Sequence, residues 1–385
     1  MRNFEFYNPT RIVFGKGTIK SLNRLLDKNH RIMLTMGGGS IKQNGVYDQV
    51  QAALKGMDVI EFPGIQPNPE YETCMEAVQI AKEKNIDFFL SVGGGSVLDA
   101  TKLIAAAIDF EGGDPWDILS KGKPVASAKP LGAVLTLPAT GSEANGNSVI
   151  SRRATGQKLA FSSPKVMPQF SILDPETTYT LSERQTANGI VDAFVHVMEQ
   201  YLTYDVNTPL QDRQAEAILA TLIEVMPKVK ADPNDYDARA TVMWCATNAL
   251  NGLIASGVVQ DWSTHTIGHE LTALHGLDHA QTLAIVLPAM MQHQRKQKAG
   301  KIMQYGRRVW GLGDIRDEEA LIDATIFKTA EFFCETGCPT HLSDYNLTLE
   351  SCLPAAQKIA DRGEVLGEHR AIGKQEVEAI LELAV

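Results

Sequence analysis

No apolar run in this 385-residue sequence approaches the roughly 20 residues that a membrane span needs; the longest, Leu283 to Met291, falls far short. A basic block is missing too. With 36 Lys and Arg against 46 Asp and Glu the net charge is −10, and phosphate backbones are bound by basic side chains that displace counterions, so nucleic acid is not an expected partner. The start, Met1 to Phe6, has no basic segment leading into an apolar one, and no signal peptide is expected. Cysteine is scarce. Cys74, Cys245, Cys334, Cys338 and Cys352 are odd in number and scattered, which is no disulfide framework and fits a reducing cytoplasm. Cys334 and Cys338 have no second pair with which to build a zinc ribbon. Internal repeats and low-complexity linkers are also absent.

What is present is a globular composition, 44% hydrophobic and 21% charged. Single cores stop growing at about 250–300 residues, so the length implies two domains. The first half alternates short apolar or β-branched runs (Arg31–Thr35, Val59–Phe62, Phe88–Val92, Gly132–Thr136) with helical patterns such as Tyr71 to Lys84. This is the βαβ rhythm of a parallel sheet. Pro67-Asn68-Pro69 breaks the chain before that helix, with Asn68 as a turn residue. From about Leu181 helical periodicity takes over, as in Ala187–Thr203, Gln211–Lys230 and Asp237–Ile254. The expected division is 1–180, a dinucleotide-binding α/β domain, and 181–385, an all-helical domain, with Asp174-Pro175 and the Thr-rich stretch after it at the boundary. A cleft between the two is the expected place for a site.

Glycine clusters carry the nucleotide signal. The strand Asp87 to Val92 runs into Gly93-Gly94-Gly95-Ser96 and then the helix Val97 to Ala107. Glycines let the backbone approach a pyrophosphate, and a helix N-terminus offers free N–H groups and a positive dipole end. Asp99 falls in the first turn. A second loop, Gly37-Gly38-Gly39-Ser40, follows the strand Ile32 to Met36. Neither matches G-x-G-x-x-G, and a plain tight βα turn is the blander reading. No Asp or Glu stands at the second loop to hold the ribose 2′-OH of NAD, which leaves room for the extra phosphate of NADP. Lys42 is close enough in sequence to meet that phosphate, or is a solvated lysine. Thr136, Thr140, Ser142 and Asn145 form a further polar stretch after a strand that either completes cofactor contacts or caps a helix. Lys158 is either a cofactor contact or solvent-facing.

Asp192 and His196 are spaced i, i+4 in an apolar segment, so one helix face presents both. A carboxylate in such a setting needs a partner, and a cation supplies it. Four of the nine histidines fall between His265 and His279. His265 and His269 are again i, i+4, with His275 and His279 beyond; spacing does not choose among them. No Glu follows His265, so this is not a zincin motif. Mixed carboxylate and imidazole ligation suits Fe²⁺, Zn²⁺ and similar ions.

With Pro9 to Gly15, the Gly93 loop, Leu137-Pro138-Ala139-Thr140-Gly141-Ser142-Glu143, Asp192…His196 and His265…His279, the whole chain resembles the iron-containing, or group III, alcohol dehydrogenases. Within them it is similar to the NADPH-dependent butanol dehydrogenase and broad-range aldehyde reductase branch. The resemblance implies the dehydroquinate synthase-like fold: a Rossmann-like parallel-sheet domain followed by a helical domain. It implies that Asp192, His196, His265 and His279 bind one divalent metal, Fe²⁺ or Zn²⁺, and that His269 stands in the active site without binding it. It implies NADP(H) contacts from Gly37, Gly38, Ser40, Gly94, Gly95, Ser96, Asp99, Thr136 and Lys158, with the 2′-phosphate near Gly38 and Ser40. Many relatives have a proline two residues after the Thr180 position, where this chain has Ser182.

The expected activity is reduction of short- to medium-chain aldehydes to primary alcohols, reversible as an alcohol dehydrogenase, in a cytoplasmic homodimer. The alternative is a polyol or sugar-phosphate dehydrogenase of the same superfamily. Phosphorylated substrates call for Arg and Lys facing the metal, whereas Trp262, Leu271, Leu274 and Leu277 surround the histidine segment.

Overall fold

The computed structural model describes residues 1–385 and divides them into two compact units. One contains Tyr7–Leu181 with Asp232–Thr247; the other contains Met1–Phe6, Ser182–Ala231 and Asn248–Val385. A single cut near residue 180 does not anticipate the placement of 232–247. That segment carries most of the helix Tyr236–Ala249, whose Met243 packs with Leu135 and Leu173 of the sheet and whose Trp244 meets Phe14 edge-on. Apolar contact, not chain order, decides its unit.

The first unit is built on six parallel strands in the order β1-β8-β5-β4-β2-β3. They are β1 (Arg11–Phe14), β2 (Arg31–Met36), β3 (Asp58–Phe62), β4 (Phe88–Gly94), β5 (Leu131–Leu137) and β8 (Phe170–Leu173). Period-2 side-chain alternation puts Ile32, Leu34, Phe88 and Leu90 in one buried cluster and Met33 and Phe89 in another. Strands that are apolar on both faces need cover on both, which is why the sheet is parallel with helical crossovers. The Tyr71–Glu83 helix covers the second cluster as the periodicity predicts, and Asn68 adopts φ 53° in the turn before it. An antiparallel hairpin, β6 (Asn147–Arg152) with β7 (Gln157–Ser162), completes the unit.

The glycine cluster at β4 differs from expectation. Sequence suggests a separate loop, but β4 extends through Gly94 and the next helix begins at Gly95. A Cβ on Gly93 would lie 2.5 Å from Val97 Cγ2, and one on Gly95 would lie 2.5 Å from Thr140 Oγ1. Both glycines are set by close packing at the strand-to-helix junction.

The second unit is helical, with one isolated bridge between Leu366 and Ile372. Its helices include Glu183–Tyr201, Pro209–Ala231, Ser263–His275, His279–His293 and Ala299–Arg308. Ser182 caps the first of these in a reciprocal box with Gln185. Gly276, at φ 70°, ends the Ser263–His275 helix, and His279 opens the next. No helix is long and apolar enough to cross a membrane. A parallel-sheet unit joined to a helical one is the fold class the sequence predicts.

Candidate metal centre and cofactor loops

Asp192 and His196 face inward one turn apart on the Glu183–Tyr201 helix, 3% and 4% exposed. Three imidazole nitrogens converge on one carboxylate oxygen. His196 Nε2 lies 3.6 Å from Asp192 Oδ1, and the Nε2 atoms of His265 and His279 each lie 3.7 Å from it. Those distances are too long for hydrogen bonds. They are close to the edge of a tetrahedron with arms of about 2.1–2.2 Å, roughly 3.4–3.6 Å, the separation of ligand atoms that share an ion. The donor atoms of Asp192, His265 and His279 all lie within 4.8 Å of one another. His265 Nε2 is buried with no hydrogen-bond partner, so a cation bound there would satisfy an otherwise orphaned atom.

The electrostatics agree. Burial drives the His196 imidazole down to about 4, keeping it in the neutral form a metal needs, against the pull of Asp192. Burial also works to lower His265, but the charge and hydrogen bond of Glu199 and the charge of Asp192 outweigh it and push that ring up to about 9. Two buried carboxylates thus demand positive charge at this point, and an ion meets that demand as well as a proton.

Glu199 is the residue that sequence reasoning missed. Its Oε1 accepts from the His265 backbone N–H at 3.1 Å, and its Oε2 pairs with His265 Nδ1. A carboxylate on the far nitrogen fixes ring orientation and raises ligand basicity. The signal was available, because Asp192, His196 and Glu199 fall at i, i+4 and i+7 on one helix face.

The histidines that spacing left undecided separate cleanly. The His275 Nε2 lies 3.6 Å from Cys352 Sγ, outside the cluster. His269 packs on His279 with ring centroids 4.9 Å apart, beside the cluster. Trp262 meets His265 edge-on at 5.3 Å. Leu271, expected around the histidine segment, lies in the core with Ile285, Leu342 and Cys352, and the partly buried Leu274 and Leu277 pack against that core. Their helical spacing reflects that core face.

In the other unit, the three predicted loops line up on one edge of the sheet. β2 and β4 are parallel neighbours with Met36 opposite Val92, and β5 flanks β4 with Leu137 opposite Gly94. Gly37, Gly38 and Ser40, then Gly94, Gly95 and Ser96, then Thr136 and Thr140 therefore lie at or just beyond adjacent strand ends, where open α/β sheets bind ligands. Gly38 faces open space, and Ser40 starts a single helical turn after Gly39 at φ 112°. Lys42 stands over the Tyr47 ring at 4.8 Å, with its Nζ 3.8 Å from Glu61 Oε2.

Asp99, Ser142 and Asn145 meet around a side chain that sequence reasoning overlooked, the fully buried Lys102. Its Nζ donates to Ser142 Oγ (2.7 Å), Asn145 Oδ1 (3.2 Å) and the Asn147 carbonyl (2.8 Å). Asp99 accepts from Ser142 Oγ at 2.6 Å and Val149 N–H at 3.0 Å. Burial lowers Lys102 to about 8, while the Asp99 and Glu143 charges oppose it. Lys158, on β7, is buried rather than solvent-facing, and its Nζ donates to Asn68 Oδ1 at 2.9 Å.

The chain matches known proteins along its whole length. The model for iron-containing alcohol dehydrogenase matches residues 9–175, and that for the Fe-containing alcohol dehydrogenase family, C-terminal, matches 186–385. The chain is 56% identical over 375 residues to the NADPH-dependent aldehyde reductase YqhD of Escherichia coli K12, covering 97% of each. It is 41% identical over 390 residues to the probable NADH-dependent butanol dehydrogenase 1 of Bacillus subtilis 168, covering 100% of each. The crystal structure of E. coli K-12 YqhD superposes with a TM-score of 0.98 at 54% identity, covering 100% of this chain and 99% of that one. A carboxylate ringed by three imidazoles, glycine-lined strand ends and matches spanning both units lead to one conclusion: the chain belongs to the iron-containing alcohol dehydrogenase family.

Proposed function

We propose that this protein is an NADPH-dependent, divalent-metal-dependent reductase of short- to medium-chain aldehydes to primary alcohols, and an alcohol dehydrogenase in reverse. The observation that carries the reading is the shell of three imidazole nitrogens at 3.6–3.7 Å around Asp192 Oδ1. Aldehyde, NADPH and a proton give alcohol and NADP⁺. When bound, the reduced nicotinamide supplies the hydride and the divalent ion supplies the Lewis acidity that polarises the carbonyl.

The chain's own residues do the rest. Asp192, His196, His265 and His279 hold the ion; one carboxylate and three neutral imidazoles leave a dication net positive. Glu199 fixes the His265 ring. Gly37, Gly38 and Ser40 receive the adenosine end, Gly94, Gly95 and Ser96 the pyrophosphate, and Thr136, Thr140 and Lys158 the remainder. Asp99, Ser142 and Asn145 shape that surface, although their hydrogen bonds to one another and to Lys102 occupy part of their capacity. His269, beside the ligand set, passes the proton to the product oxygen.

Absence of an acidic side chain in Gly37–Ser40 favours NADPH, as does the name of the E. coli relative; the Bacillus relative is named for NADH. Assaying butanal with each nicotinamide, on metal-stripped protein and after restoring Zn²⁺ or Fe²⁺, tests cofactor and metal together. We expect kcat/KM to favour NADPH by roughly 10- to 100-fold, the size of one charge-assisted hydrogen bond. Equal efficiency with NADH would refute the cofactor assignment. Metal-independent turnover would refute the whole reading.

Replacing His269 with Ala should lower kcat by roughly 100-fold, as loss of a general acid does, with metal content unchanged. Loss of the metal instead would make His269 a ligand. The reading includes a cytoplasmic homodimer, supported by five free cysteines and by β1 as an open sheet edge beside exposed Trp244. Light scattering that returned a monomer mass would refute the dimer.

A further inference from the structure

Lys298 is a buried cation in an electrostatically unfavourable place. It occupies the N-cap of the Ala299–Arg308 helix, where the positive end of the dipole repels an ammonium, and it is 6% exposed. Three acceptors saturate it: the Leu202 carbonyl at 2.6 Å, Asp261 Oδ2 at 2.8 Å and Glu368 Oε2 at 2.7 Å. Burying a charge in this way stabilises little by itself, because desolvation offsets the ion-pair attraction.

The positions of its partners explain the arrangement. Leu202 is the C-cap of the helix that carries Asp192, His196 and Glu199. Asp261 Oδ1 accepts from both the backbone N–H and the hydroxyl of Ser263, the first residue of the helix that carries His265. The Asp261 N–H in turn donates to the Glu199 carbonyl at 2.9 Å. One ammonium therefore joins the end of one ligand-bearing helix to the start of the other. Lys298, Asp261 and Leu202 line one small cavity together with Glu199 and Thr264.

We propose that Lys298, through Leu202 and Asp261, is a positioning residue for the metal centre that sets the separation of the Asp192/His196 and His265 helices. This rests on the four-ligand reading given under the proposed function. Helices that drift by a few tenths of an ångström spoil a ligand shell without unfolding the unit.

The test is titration of metal-free protein with Co²⁺, reading affinity and the visible bands of the bound ion, in parallel with NADPH binding by fluorescence. Lys298→Met and Asp261→Asn should bind Co²⁺ about 10- to 100-fold more weakly, as loss of an outer-shell partner does, with shifted bands and NADPH binding unmoved. Asp261→Asn keeps the shape and decides the matter if Lys298→Met does not fold. Co²⁺ affinity within about threefold of the parent in a folded variant overturns the proposal. So does joint loss of Co²⁺ and NADPH binding in Asp261→Asn, which marks general unfolding and not a shifted ligand shell. His279→Ala is the control on the underlying reading: if it binds Co²⁺ like the parent, the ligand set itself is wrong, a result distinct from failure of Lys298.

Discussion

Replacing Asp192 with Ala is expected to remove the stoichiometric metal and to cut kcat/KM by at least about 1,000-fold, roughly 4 kcal/mol of transition-state stabilisation. Asp192 is the one anion in the shell, and all three imidazole nitrogens are arranged around its Oδ1. Without it, three neutral donors must hold a dication in a buried, desolvated site, and the adjacent negative charge of Glu199 is already engaged by His265. NADPH affinity should be unchanged, because the strand-end loops belong to the other unit. Metal analysis with single-turnover kinetics checks both halves. Retention of metal with full activity would mean that Asp192 is not a ligand.

Much of this candidate site is legible in the sequence. The i, i+4 pair of Asp192 and His196 and the glycine clusters after apolar strands are local patterns, and local patterns survive translation into structure. The choice among four clustered histidines was not local. It depends on Gly276 turning the chain at positive φ so that His279 opens a new helix, while His275 is left beside Cys352. For Leu271, Leu274 and Leu277 the apolar spacing states that one face is buried but not against what, and the structure packs them on the core around Ile285 and Leu342. Glu199 and Lys298 belong to a third category. Their roles come from contacts with residues 66 and 37 positions away respectively, and a lone Glu or Lys in a sequence carries no mark of its partner.

Lys102 is the same kind of residue in the other unit, and its replacement by Met should be the most destabilising single change outside the apolar core. Removing one partner of a buried ionic network costs about 3–5 kcal/mol, because the remaining charge is left uncompensated. Asp99 would keep its bonds from Ser142 and the Val149 N–H but lose the stronger of its two lysine counter-charges. Spread over a unit of this size, the loss corresponds to a drop in Tm on the order of 10 °C. Met fills most of the volume of the lysine stem, so cavity formation contributes little. NADPH binding should weaken as well, because Ser142 and Asn145 lose the ammonium that holds the Thr140–Asn145 segment, whereas Co²⁺ affinity in the helical unit should not move. The double variant Asp99→Asn with Lys102→Met removes both charges and should recover part of the lost stability, the non-additivity expected of groups in one network. Thermal unfolding of the two variants side by side is decisive: equal Tm values for parent and Lys102→Met would mean that the buried ammonium holds nothing in place.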